Sequence, residues 1–109
     1  MKGFLGEFEE LVLLTIATLG SDAYGVAIKD EIQKRANRSI SIGALHSTIS
    51  RLEDKGYLKS HVGGATAERG GRKKRFFELT SDAKEGLAAM KDLRDSLWNS
   101  SQISLDVSK

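Results

Sequence analysis

The sequence predicts a mainly α (α+β) domain built from three helices, a two-stranded hairpin and a fourth helix. Apolar residues recur at helical spacing in the first half of the chain and again near its end. Between those regions the period changes: Tyr57–Val62 and Lys74–Leu79 are rich in aromatic and branched residues and read as two strands. A length of 109 residues is one domain's worth of chain. Such a domain buries roughly 60–70% of its unfolded surface, enough for a real but modest core. The 39% apolar and 29% charged fractions exclude a disordered or collagen-like chain. The absence of cysteine excludes a disulfide scaffold and any thiolate metal site. The absence of proline means that no helix need kink.

The first helix is expected over Phe8–Leu19. Leu11, Val12, Leu13, Leu14, Ile16, Ala17 and Leu19 make it apolar almost all round, the mark of a central, buried helix. Gly20 suits the C-terminal cap, and Ser21-Asp22 offers an N-cap for the next helix. That second helix is expected over about 23–36, with Val26, Ile28 and Ile32 for the core, followed by a turn at Asn37-Arg38-Ser39. The third helix starts after Ser41 and stops at Gly56. Its Ile42, Leu45, Ile49 and Leu52 fall within an arc of about 80°. Gly43, Ala44, Ser47, Ser50 and Arg51 occupy the opposite face, which is small and hydrogen-bonding where a solvated face is usually dense in Glu and Lys. The segment Gly63–Lys73 holds four glycines and no anchor for a core, so it reads as a long, mobile hairpin tip. Thr80 can cap a last helix over about 81–99, beyond which a Ser-rich tail is expected to fray.

The longest apolar stretch, within Leu11–Leu19, is half of what a membrane-spanning helix needs. Glu7, Glu9 and Glu10 stand where a signal peptide carries positive charge, so the chain reads as cytoplasmic.

The net charge of +2 conceals a strong asymmetry. Residues 1–32 hold 2 basic and 6 acidic groups, residues 33–80 hold 11 and 4, and residues 81–109 hold 4 and 5. The positive block thus lies on the third helix and the hairpin, with five cations among the seven residues of Arg69–Arg75. A helix with a small, hydrogen-bonding face fits the major groove of DNA, and cations beside it can neutralise phosphates.

Four segments in series resemble the PadR family of bacterial transcriptional regulators. They are Gly6-Glu7-Phe8-Glu9-Glu10-Leu11-Val12-Leu13-Leu14; Ala23-Tyr24-Gly25-Val26-Ala27-Ile28; Ile42 through Gly56; and Gly70-Gly71-Arg72-Lys73-Lys74-Arg75-Phe76-Phe77-Glu78-Leu79-Thr80. The likeness covers about residues 6–90 in the family's order and spacing. It implies a winged helix-turn-helix over residues 1–80, and a C-terminal dimerisation helix with a frayed tail over residues 81–109. It also implies a regulator that usually represses nearby genes. The chain departs from the family in two places: His46-Ser47 stands where members typically carry Tyr-Pro, and Phe76-Phe77 where they carry Tyr-Tyr. The first change removes a phenol and frees Ser47 to donate a hydrogen bond; the second keeps the aromatic bulk.

The expected base contacts are Ala44, His46, Ser47, Ser50 and Arg51. Arg51 stands first among them, because a bidentate arginine–guanine pair is worth roughly 1–3 kcal/mol of discrimination. The opposing reading for Arg51 is a surface ion pair with Glu53, Asp54 or another neighbouring acid. Ser41, Arg69, Arg72, Lys73 and Lys74 are expected at phosphates, although Ser41 also suits the helix cap, and Arg75 shares a strand face with Phe77 and Leu79. His46 and His61, the two histidines, have no partners with metal-ligand spacing. The glycines do not spell a phosphate-binding loop, and no set of nucleophile, base and acid assembles. No enzyme, cofactor or metal is expected.

On the last helix Ala83, Leu87, Met90, Leu93, Leu97 and Trp98 fall within an arc of about 140°. Leu87, Met90, Leu93, Leu97 and Trp98, with Phe4, Leu5 and Phe8, are therefore expected at a two-fold homodimer interface. Trp98 is read as an interface anchor or, as in some members with a single short C-terminal helix, as a stacking plate for a small aromatic effector. The competing class is a winged-helix protein–protein module whose basic wing meets an acidic partner.

Overall fold

Three helices pack around one apolar centre and a hairpin closes its open side. The computed structural model describes residues 5–63 and 74–105. In chain order these form α1 (Glu7–Leu19), a single 3-10 turn (Gly20–Asp22), α2 (Gly25–Ala36), α3 (Ile42–Asp54), β1 (Leu58–Gly63), β2 (Lys74–Leu79) and α4 (Ser81–Ser100). The order of helices and strands expected from the periodicity is thus the observed one. The tip expected to be mobile lies mostly outside the described residues.

The core joins Val12, Leu13 and Ile16 of α1 to Ile28 and Ile32 of α2 and Leu45, Ile49 and Leu52 of α3, with Tyr57, Leu58, Phe77 and Ala83 closing it. Two expectations about this core change. α1 is not buried all round: Leu14, Ala17 and Thr18 are exposed, because α2, α3 and the hairpin all lie on one side of it. Val26 and Ile42 also lie outside the core, at 58% and 43% exposure. Val26 is two residues, about 200°, from Ile28 and so points away from it. On α3 the buried arc includes Thr48 instead of Ile42, which turns the helix toward Thr48.

Local chemistry fixes the joints. Gly20 ends α1 at φ 60° and Gly56 follows α3 at φ 81°, a backbone region that favours glycine. Asn37 ends α2 in the left-handed conformation, which asparagine tolerates. Ser21 and Asp22 lie in the 3-10 turn, and the residue at the start of α2 is Tyr24 in extended conformation, without a side-chain cap. Ser41 caps α3 by accepting the Ala44 N–H at 3.0 Å. Thr80 caps α4 by accepting the Ala83 N–H at 3.3 Å, and its hydroxyl donates to the Gly56 carbonyl at 2.7 Å. One threonine therefore ties α4 to the end of α3.

β1 and β2 pair antiparallel from Leu58↔Leu79 to Gly63↔Lys74. Tyr24 forms an isolated bridge with Phe76, and the Phe77 N–H donates to the Ala23 carbonyl at 2.9 Å. The base of the wing is thereby fastened to the start of α2. α4 packs through Ala83, Gly86 and half-buried Leu87, while every residue from Lys91 to Ser100 is exposed. Its tie to α1 is an ion pair between Arg94 and Glu10 at 2.9 Å. Leu5, expected at a dimer interface, belongs instead to the chain's own core. Phe8 packs against that core beneath the Arg38 guanidinium, 5.0 Å from its ring centroid. Arg38, in the α2–α3 turn, also holds Glu7 at 2.8 Å, so the first turn of α1 is fastened to that turn.

Candidate nucleic-acid interface

α3 offers one continuous exposed face. Gly43, Ala44, Ser47 and Ser50 are all exposed, and Leu45, Thr48, Ile49 and Leu52 anchor the other side in the core. At 100° per residue, Gly43, Ser47, Ser50 and Asp54 lie nearest the centre of the outward face. Arg51 therefore sits on one flank rather than in the middle, and His46 on the other. The structure brings the five base-contact candidates, Ala44, His46, Ser47, Ser50 and Arg51, onto this single exposed surface.

Arg51 is ordered by its neighbours. Its Nε donates to a Glu9 carboxylate oxygen at 3.4 Å, and its Nη2 donates to the Thr48 hydroxyl at 3.1 Å. The anticipated ion pair exists, but its acid comes from α1 rather than from Glu53 or Asp54. A guanidinium carries five N–H donors. Two are used here, so the rest of the fork remains available, and the side chain stays 56% exposed.

The acid that holds it is buried. Glu9 is 7% exposed, accepts the Gly6 N–H at 2.9 Å and receives Lys55 Nζ at 3.0 Å. Burial pushes its pKa up; the Gly6 amide, Lys55 and Arg51 together push it down further, leaving it below its ordinary value. Glu9 and Lys55 were missed in the sequence because nothing in a helical pattern marks an acid that turns inward to meet cations 42 and 46 residues later.

The other flank meets the wing. A Cβ on Gly25 would lie 3.6 Å from His46 Nε2, so the imidazole packs close to the first turn of α2. Lys74 Nζ lies 4.1 Å from the Tyr24 ring centroid. Tyr24 meets Phe76 edge-on at 5.7 Å, and Phe76 stacks on His61 at 5.6 Å. This run of rings fixes one phosphate-contact candidate, Lys74, beside the start of α2. Arg75 is exposed and donates from Nε to the Ser60 hydroxyl at 3.1 Å across the sheet. Ser41 serves as the α3 cap. Arg69, Arg72 and Lys73, and Phe4 from the interface set, lie outside the described residues.

Leu93, Leu97 and Trp98 of α4 are each more than half exposed. Beside them α1 and α4 enclose a groove floored by Leu14, Leu87 and Ala88 and rimmed by Glu10, Lys91, Arg94 and Asp95. Met90 is half-buried between this exposed half and the core. Among the described residues no cluster of three His, Cys, Asp or Glu side chains can hold a metal ion, and no helix is long and apolar enough to cross a membrane.

A three-helix core with a hairpin wing and an exposed third helix defines a winged-helix protein. Residues 12–89 match the Transcriptional regulator PadR-like family, and the chain belongs to that family. That family is one of transcriptional regulators. Solved structures agree in fold. A PadR-like transcriptional regulator from Bacillus cereus superposes with a TM-score of 0.68 at 17% identity, covering 89% of this chain and 93% of the other. A PadR family regulator from Eggerthella lenta gives 0.64 at 21% identity, with 86% and 81% covered. One from Clostridium difficile gives 0.63 at 19% identity, with 84% and 96% covered. No curated protein matches the chain.

Proposed function

We propose that the chain is a sequence-specific, DNA-binding transcriptional regulator that acts as a homodimer, with repression as its mode. The observation that carries the reading is the exposed face of α3, small and hydroxyl-bearing at Ser47 and Ser50, with Arg51 already oriented on its flank and Lys74 fixed beside it. Small side chains let a helix approach base edges closely, and an arginine within reach supplies the bidentate donor that guanine pairs with. Residues 1–80 form the DNA-binding part in this reading. Lys74 and Arg75, with Arg69, Arg72 and Lys73 in the adjoining sequence, hold the phosphate backbone and set register.

Residues 81–109 supply the dimerisation helix and tail. The exposed Leu93, Leu97 and Trp98, continued by Met90 and Leu87, form a stripe that a second copy covers by two-fold symmetry. Trp98 anchors that interface, and a flat aromatic effector stacking on it would relieve repression. Two α3 helices then enter successive major grooves about 34 Å apart, and the operator is a rough palindrome. Selection from randomised duplexes tests this. The expected result is an enriched inverted repeat with half-site centres about 10 base pairs apart, bound by a protein that sediments as a dimer at micromolar concentration. No enrichment, with capture of acidic proteins instead, would favour a protein–protein module; a sedimenting monomer would remove the dimer.

A further inference from the structure

Between the first turns of α2 and α3 and the wing strand β2 lies an open groove of about 510 Å³. Tyr24, Val26, Ile42, His46, Lys74 and Arg75 line it. Two branched aliphatic side chains stand exposed there, Val26 at 58% and Ile42 at 43%. Single exposed aliphatics are ordinary on a protein surface, so their position is what matters. Ile42 is the first residue of α3, the part of a reading helix that meets base edges. His46 follows it at i+4 on the same flank. Lys74, held over Tyr24, and Arg75 place positive charge on the groove's wall.

A polyanion with an apolar point on its surface suits a groove of this kind. In the major groove of DNA the apolar feature of a base edge is the C5 methyl group of thymine. We propose that Ile42, backed by Val26, reads a thymine methyl group in each half-site. The proposal rests on the DNA-binding reading above. It adds a specificity residue at a position that helical periodicity assigns to the core. Lys74 and Arg75 bring the phosphate backbone to the groove, and Ile42 supplies the surface that the methyl group covers.

The test uses the full chain and a duplex obtained by selection. Each thymine is replaced in turn by deoxyuridine, which removes the methyl group and keeps every Watson–Crick hydrogen bond. For the natural protein, one thymine per half-site is expected to cost about fourfold in affinity on replacement, the worth of burying one methyl-sized group. Ile42→Ala removes the contact in both half-sites, so the unmodified duplex binds more weakly by the square of that factor, about 16-fold, and the same deoxyuridine costs nothing further. Ile42→Val, which shortens the side chain by one carbon, retains part of the sensitivity. A scan in which no deoxyuridine matters overturns the proposal, as does a sensitive thymine that stays equally sensitive in Ile42→Ala, and both leave the DNA-binding reading intact. A chain that selects no duplex overturns both. Thermal unfolding of Ile42→Ala is expected to match the natural protein, since the side chain it shortens lies outside the core.

Discussion

Raising the salt concentration from 50 to 200 mM should weaken the specific DNA complex by on the order of 10³-fold or more. The expectation follows from where the positive charge sits. Residues 33–80 carry 11 basic and 4 acidic groups, while the segments on either side are net negative. Lys74 is fastened beside α2 by its contact with Tyr24, and Arg75 is exposed on the same strand. With Arg69, Arg72 and Lys73 adjoining them in sequence, a dimer neutralises about 6–8 phosphates, and each neutralised phosphate releases condensed counterions. Affinity measured by fluorescence anisotropy across that range gives the slope. A specific complex indifferent to salt would mean that these cations do not face the backbone.

Glu9→Gln should destabilise the domain by about 1–2 kcal/mol at neutral pH, and by more than any change to the exposed ion pairs. The carboxylate does three things at once: it accepts the Gly6 amide at the start of α1, and it holds Lys55 and Arg51 of the α3 region. Lys55 and Arg51 are 35% and 56% exposed, so solvent screens part of their share. Glutamine still accepts the Gly6 amide through its carbonyl oxygen, so what the substitution removes is the buried negative charge that these cations share. Because burial is outweighed by those donors, the folded-state pKa of Glu9 lies below its unfolded value. Its stabilisation is therefore complete at neutral pH and is lost as pH falls through the lowered pKa. Glutamine removes that acid-dependent increment, so the variant should melt about 5–10 °C lower at pH 7, and the difference should shrink as the pH falls below the ordinary carboxylate range. Equal melting temperatures at pH 7 would show that the network contributes nothing.

The sequence made the sequence of elements legible because each depends on local signals. The Ser41 and Thr80 caps, the positive-φ Gly20 and Gly56, and the aromatic-rich strands all act within a few residues. What could not be read depended on how helices turn against one another. Ile42 fits an apolar arc on paper, but the packing of α1 on α3 buries Thr48 and leaves Ile42 beside the wing. Val26 is different: its angle from Ile28 already placed it on the far side of α2. Leu5 and Phe8 resembled spare apolar surface, but Leu5 enters the core and Phe8 packs against it beneath Arg38, which comes from a turn 30 residues later. The charge on the wing was plain in the sequence. The capture of Arg51 by Glu9 was not, since it joins residues 42 positions apart.

The most direct measurement is a gel-shift and footprint on the DNA upstream of the chain's own gene, with the natural protein and with Arg51→Ala. Arg51 lies at the surface, and its loss leaves Glu9 paired with Lys55, so the variant is expected to stay folded. The natural protein should give a discrete, roughly palindromic footprint, and Arg51→Ala should lose it, at a cost of roughly 1–3 kcal/mol for each guanine contact. Salt-labile binding to any duplex, unchanged by the substitution, would contradict the account.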